Sequence, residues 1–439
     1  MIRTSPLQAS VATTVGVLYS VWNLIAWYVS EPTEMGDTYR YFGFLIFDAQ
    51  NPGITTSFLY QSVQDPRLIT LIQVVFATGA FVLLSWAVLI TTQWRSVGII
   101  VSTLVLLVSM TAPFWSWQAL LATEGLTLSF SVFWLAAVIS SFNSQRSPGI
   151  VITALTLSAT LLLLVRPQFV VLVLPASLLL ASAMARRNRS LAVFACAVAG
   201  VIPAVAFSVW RLLSLMGDKG YSYIYTMHNY VDKASTFRAY ANDNMPACEP
   251  LTAAMNGPSP WTDMMAIRDQ LIGLCPESFL WLKNGPVSVI NWTIQFPAES
   301  LSAMTSSMSE MIISPYSPMT AVPDEVSSLL LPDVPAWIWL IAAWLIGVSL
   351  ALLTGLRSRP SSLTVISTVV MTGSFAVLIY FTWASDGIEL ARHQAPWFLF
   401  AILAGLTIPV ATAQVGKQAA HASPSAPSKT TRSLCVKIL

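Results

Sequence analysis

What most restricts this chain is the recurrence of apolar stretches about 20 residues long, the length a helix needs to cross a bilayer core. Bounded by charges, Pro or Gly, ten of them lie at 10–29, 68–92, 97–114, 122–141, 150–165, 167–185, 191–210, 335–355, 363–383 and 395–413. Backbone polar groups find no water in lipid, so such segments must be helices that close their own hydrogen bonds. Composition agrees. Hydrophobic residues make up 55% of the 439 and charged residues 10%, whereas soluble domains carry about 25% charge. A soluble fold has too little polar surface to cover that apolar content, and a disordered chain is excluded for the same reason. The expected fold class is an all-α polytopic membrane protein of about ten transmembrane helices.

Two of the boundaries need comment. The fifth and sixth stretches are separated only by Arg166-Pro167. A tight turn there is favoured over one kinked helix, which would be too long for a single span. The first stretch reads as a retained span, since it lacks a clear small-residue cleavage site. Trp27, Tyr28, Trp115, Trp117, Trp210, Trp337, Trp339, Trp383 and Trp397 crowd the ends of the stretches and read as an aromatic belt at the headgroups.

The formal net charge is only +2, but its distribution is steep. With the N-terminus in the cytoplasm and alternating spans, the cytoplasmic segments are 1–9, 93–96, 142–149, 186–190, 356–362 and 414–439. They hold twelve basic residues, from Arg3 and Arg95 to Arg432 and Lys437, and none of the 20 acidic ones. The positive-inside rule is met at every short loop, which gives an N-in/C-in topology and puts every carboxylate outside. Four regions follow: an N-terminal membrane module 1–214 with an acidic outer loop at 30–67, a large extracytoplasmic loop 215–334, a C-terminal membrane module 335–413, and a tail 414–439 rich in Ala, Ser, Lys and Pro that is expected to be disordered.

Cys248 and Cys275 both lie in the large outer loop, where an oxidising compartment permits a disulfide, although spacing alone does not decide pairing. Cys196 and Cys435 read as inert. His228, His393 and His421 are too scattered for a His metal site.

Ionisable groups at the apolar boundary are costly and therefore point to function. Glu34 and Asp37 lie in Glu34-Met-Gly-Asp37-Thr-Tyr-Arg40-Tyr, just past the first span. A carboxylate there can serve as a general base toward an acceptor hydroxyl; equally, Asp37 can pair with Arg40 or cap a helix. Glu124 begins the fourth span in a long apolar region. There it can share a cavity with Asp37, or complement a helix N-terminus capped by Thr123. Arg166, flanked by apolar residues, and the pair Arg392-His393 before Pro396 are placed to hold a lipid phosphate, or to snorkel to the headgroups. In the large loop and its approach Arg211, Lys219, Lys233, Arg238, Arg268 and Lys283 read mainly as surface charge, and Tyr221 and Tyr223 can stack on sugar rings. Met304, Met308 and Met311 have helical spacing and read as a packing face. Two carboxylate positions and two arginine positions on one side suit transfer from a lipid-phosphate donor. That leaving group is already acidic and needs charge stabilisation, while the acceptor hydroxyl needs a base.

On these residues the chain resembles the GT-C glycosyltransferases, membrane enzymes that use polyprenyl-phosphate sugars. The resemblance lies in an acidic first outer loop (Glu34, Asp37), an acidic start to the fourth span (Thr123-Glu124), an Arg-Pro after the fifth (Arg166-Pro167) and an Arg followed by Pro before a late span (Arg392, Pro396), across about 400 residues. It departs in having Glu34-x-x-Asp37 where several members have a paired Asp-Glu or Asp-x-Asp, which leaves the identity of the base, and a divalent metal, open. The resemblance implies an inverting transferase of the bacterial inner membrane with its active site facing the periplasm. Asp37 would be the base, with Glu34 or Glu124 orienting the acceptor or tuning the base. Arg166, Arg392, His393 and Arg40 would bind the donor phosphate, and Tyr221 and Tyr223 the acceptor. The implied partners are a polyprenyl-phosphate sugar, a glycan, lipid or protein acceptor, and membrane lipids; no nucleic acid is expected. Two rivals fit the layout less well. An O-antigen type ligase or polymerase would concentrate its chemistry in the late loop, and a lipid-linked glycan flippase would carry internal repeats and mid-membrane charges.

Overall fold

The computed structural model describes residues 6–34, 38–43, 53–92, 95–142, 147–188, 190–215, 235–267, 270–303, 336–355, 397 and 399–411. These are overwhelmingly helical. Helix α1 (Pro6–Val29) is followed by a two-residue strand β1 (Thr33–Glu34), the short helices α2 (Thr38–Gly43) and α3 (Ile54–Val63), and the long α4 (Pro66–Thr91). Then come α5 (Arg95–Ser109), α6 (Ala112–Ala119), strand β2 (Leu120–Leu121), α7 (Thr123–Ser141), α8 (Pro148–Val165), a 3-10 turn (Pro167–Phe169), α9 (Val170–Asn188) and α10 (Leu191–Leu215).

Among the described residues five helices are long and apolar enough to cross a membrane: Ala12–Val29, Pro66–Thr91, Thr123–Ser141, Pro148–Val165 and Leu191–Arg211. Four shorter apolar helices cover Ser96–Ser109, Pro167–Ser182, Leu340–Leu353 and Leu399–Ala411. Nine of the ten expected stretches thus coincide with helix, and the tenth, 363–383, lies outside the described residues.

The third stretch is shorter than expected. Its helix stops at Ser109, because Thr111 turns its hydroxyl onto Val108 O (2.7 Å) and, with Pro113 behind it, starts the separate α6. At Arg166 the chain is extended (φ −137°, ψ 92°), so α8 and α9 are two helices divided by a break, as the turn reading requires.

Helix α4 shows how sequence sets a start. Asp65 accepts from the N–H groups of Arg67 (2.8 Å) and Leu68 (3.1 Å), and Pro66 occupies the first position, where its missing N–H costs nothing. Helix α7 is the centre of the bundle. It packs against α4 and α8, and 89% of its apolar window is buried. Its hydroxyls at Thr127, Ser129, Ser131 and Ser141 bond back to helix carbonyls, so every side can be buried. By contrast α1 leaves Leu18, Val21 and Ile25 exposed along one face, as a lipid-facing helix does.

The aromatic belt holds only in part. Tyr28 and Trp210 are well exposed, but Trp115, Trp117 and Trp397 are buried in the core. Two late helices, α17 (Ala336–Gly355) and α18 (Leu399–Ala411), meet through Gly347 and Gly405; small residues let membrane helices approach this closely.

Between α10 and α17 the described parts of the large loop form a separate set of short helices: α11 (Ser235–Asn244), α12 (Glu249–Met255), α13 (Pro260–Ile267), α14 (Leu271–Leu274), α15 (Pro276–Lys283) and α16 (Gly285–Gln295). Cys248 and Cys275 are bonded, with Cα atoms 5.8 Å apart. They sit in a small core with Met245, Leu251, Met255, Leu271 and Leu282, beside a second core of Phe237, Tyr240, Val289 and Trp292. Met304, Met308, Met311 and the tail 414–439 lie outside the described residues.

Candidate functional site

Several chain segments meet at one end of the bundle. Arg67, at the start of α4, donates to Tyr28 O (2.7 Å) and Ser30 O (3.3 Å) and lies over the Trp27 ring, which ties α4 to the end of α1. Beyond α1 the chain runs extended, and β1 pairs in parallel with β2, Thr33 against Leu120 and Glu34 against Leu121. Thr38, at the start of α2, donates its hydroxyl hydrogen to Leu121 O at 2.8 Å. The acidic first loop is therefore stitched to the residues that lead into Glu124, some 80 positions away in sequence.

Helix α7 begins directly after β2. Its N-cap is Ala122, with Thr123 already in the helix, so Thr123 does not cap it as expected. Instead the Thr123 hydroxyl donates to Glu124 Oε2 at 3.3 Å. Glu124 is fully buried, and its other oxygen accepts a charge-assisted hydrogen bond from Arg166 Nη2. Arg166 retains 11% side-chain exposure. Two residues singled out separately in the sequence are thus one ion pair, brought together by the break after α8. A fixed guanidinium with one edge still accessible is a suitable anchor for an anion.

Close approach is built into this corner. A Cβ on Gly125 would stand 2.5 Å from Trp117 O, so only glycine lets the first turn of α7 lie against α6. A Cβ on Gly53 would meet Thr123 Cγ2 at 2.8 Å and Val165 O at 3.2 Å; the head of α3 therefore wedges between the neighbours of Glu124 and Arg166. Below them Gln73 and Tyr60 are both fully buried, and Tyr60 packs edge-on against Tyr41 at 5.4 Å. Burial pushes the Tyr60 phenol well above its ordinary value, with Tyr41 and Glu124 adding to the shift. Past the break, Phe169 stacks on Trp397 with ring centroids 3.6 Å apart. Residues just after Arg166 and just after Arg392-His393 thereby come into contact.

Of the expected site residues, Glu124 and Arg166 meet directly. Glu34 lies in β1, paired with the strand that leads into Glu124, but is exposed. Arg40 lies in α2, and its side chain is outside the described residues, as are Asp37, Arg392, His393, Tyr221 and Tyr223 altogether. Sequence reasoning missed Thr38, Tyr60 and Gln73. Gln73 carried a usable signal, an amide in the middle of an otherwise apolar span; Thr38 and Tyr60 had none. Among the described residues no group of three His, Cys, Asp or Glu is placed to hold a metal ion.

No protein-family model matches the chain, and no curated protein does. One solved structure is similar to it, a crystal structure of ArnT from Cupriavidus metallidurans bound to undecaprenyl phosphate, at 13% identity over 93% of this chain and 79% of that one, with a TM-score of 0.36. A superposition this loose leaves the function of the chain to its own residues.

Proposed function

We propose that the chain is an integral membrane glycosyltransferase that moves a sugar from a polyprenyl-phosphate donor to an acceptor hydroxyl on the extracytoplasmic face. The observation that carries this reading is the buried Glu124–Arg166 pair, held at the bundle end to which the acidic first loop is hydrogen-bonded. A donor phosphate needs a cation fixed in place before charge develops on the leaving group, because preorganised charge costs no rearrangement during the reaction.

In this scheme Asp37 takes the proton from the acceptor hydroxyl. The freed oxygen forms a bond to the anomeric carbon from the face opposite the phosphate. The carbon–oxygen bond to phosphate breaks, its electron pair leaves with the polyprenyl phosphate, and the anomeric centre inverts. Arg166 stabilises the departing phosphate, assisted by Arg392, His393 and Arg40. Glu124 acts through Arg166 as a positioning residue, Glu34 orients the acceptor, and Tyr221 and Tyr223 stack on it. A divalent metal at the first-loop carboxylates would add charge stabilisation to the same step. The site would face the periplasm of a bacterial inner membrane.

The test is transfer by the full chain in nanodiscs, assayed against a panel of polyprenyl-phosphate hexoses and pentoses. Asp37→Asn should lose transfer by about a hundredfold or more while still binding donor, the loss expected when a general base is removed. Full transfer in that variant removes Asp37 from the role of base. Translocation of a lipid-linked glycan without any sugar transfer would favour a flippase instead.

A further inference from the structure

Between α6 and α7 the chain leaves helix inside the bundle. Gln118, Leu120, Leu121, Ala122 and Thr123 are all buried, so the carbonyls of this stretch need donors within the protein. Thr38 supplies one, to Leu121. The Ala122 N–H meets Leu120 O at 3.0 Å and the Thr127 hydroxyl meets Thr123 O at 2.7 Å. Two further donors come from one side chain in α4. With its amide turned so that the NH2 group faces the carbonyls, Gln73 donates to Leu120 O and Gln118 O, both at 3.0 Å, and its oxygen accepts from the Tyr60 hydroxyl at 3.1 Å. In the opposite orientation the oxygen would face only acceptors, so the hydrogen-bonding groups themselves select this one. Both donor hydrogens of the buried amide and one lone pair of its oxygen are thus spent on three partners in or against this one segment.

An amide inside a membrane helix is costly unless fully satisfied. Van der Waals filling of the same space would need only a leucine. The next residues along the segment are Thr123 and Glu124, and Glu124 is what fixes Arg166.

We infer that Gln73, braced by Tyr60, is a positioning residue: it sets the path of Gln118–Ala122 and thereby where Glu124 presents its carboxylate to Arg166. Gln73 acts on the ion pair through the segment, to which its amide is bonded. The inference rests on the proposed phosphate-binding role of Arg166 for its functional arm, while its structural arm does not depend on that reading.

The experiment uses the full chain in nanodiscs, as wild type and as Gln73→Leu and Tyr60→Phe. Hydrogen exchange should rise in the peptide covering 118–124 in Gln73→Leu and less in Tyr60→Phe, with α8 and α10 protected as in wild type. Undecaprenyl phosphate is the binding probe. Gln73→Leu should weaken its binding about tenfold in the wild-type background and leave it within about twofold in an Arg166→Ala background, the signature of two residues acting through one contact. A general packing defect would lower binding equally in both backgrounds and would overturn the inference. Unchanged exchange at 118–124 in Gln73→Leu also overturns it, whatever the binding result. Wild-type protein that does not bind the probe sinks the glycosyltransferase reading, and the exchange arm then decides this inference alone.

Discussion

Around Gln118–Glu124 the chain leaves helix for a few residues inside a bundle of long apolar helices. Between Ser235 and Gln295 it runs through helices of 4 to 11 residues around two small cores. Both regions must order irregular backbone, and they do it by different means. In the bundle the carbonyls are met by side chains from distant helices (Thr38, Gln73), and an ion pair closes the corner. In the loop region the covalent link Cys248–Cys275 sits in a small core and joins helices too short to be stable alone. Where water is absent, a hydrogen-bond donor must be built in; where the core is small, the unfolded state must be restricted instead.

The largest expected effect breaks the first of these. Glu124→Ala leaves the Arg166 charge without its buried partner, a loss of roughly 3–5 kcal/mol for such pairs. It should appear as a marked fall in thermal stability, with the pair replacement Glu124→Leu/Arg166→Met recovering much of it. A single variant that melts like wild type would mean the pair does not hold this corner.

Next comes the disulfide. By the loop-entropy model, closing a span of 27 residues stabilises by roughly 3.5 kcal/mol. Cys248→Ser/Cys275→Ser should open 235–303 to limited proteolysis while α7 keeps its amide protection. Loss of α7 protection in the same variant would show that the two regions are not independent.

Glycine substitutions should cost less. Gly125→Ala forces a methyl against Trp117 O, an overpacking of about 1–3 kcal/mol, and should loosen 118–124 in hydrogen exchange. Gly347→Ala overlaps the Gly405 carbonyl and should weaken only the α17–α18 contact. An effect of Gly347→Ala on 118–124 would contradict that separation.

The smallest effect is in pH. The Tyr60 phenol is raised in the folded state by burial, from an ordinary value of 10.0. The folded protein therefore holds that proton more tightly than the unfolded chain does. The associated stability is full below about pH 10 and is lost above it, as pH rises toward and through the raised folded-state value. Tyr60→Phe should flatten the stability profile above that pH, as followed by thermal melting; an identical alkaline slope would show that Tyr60 does not stay protonated.

Much of this was legible in the sequence. An apolar stretch of span length must be helical in lipid, so the helices follow from composition along the chain, and a Pro after Arg166 marks the break between α8 and α9. The end of the third stretch was misjudged because apolar content continues through Thr111-Ala-Pro113 while the backbone does not. Trp115, Trp117 and Trp397 were misplaced for a related reason: a Trp near a span end reads as a headgroup anchor, yet these rings face the core. The pairing of Glu124 with Arg166 could not be read, since nothing local links residues 42 apart.

The sequence alone determined that this is a bundle of apolar helices, that its carboxylates avoid the short basic loops, and that two cysteines share one loop. Those properties depend on the local solvent preference of each residue. Only the tertiary structure decided which polar groups meet: Thr38 with Leu121, Gln73 with Gln118 and Leu120, and Glu124 with Arg166. The physical reason is that a helix buried on every side, with no polar face, as α7 is, carries no periodic signal to say which face meets which neighbour. That choice falls to packing and to the need of every buried carbonyl for a donor.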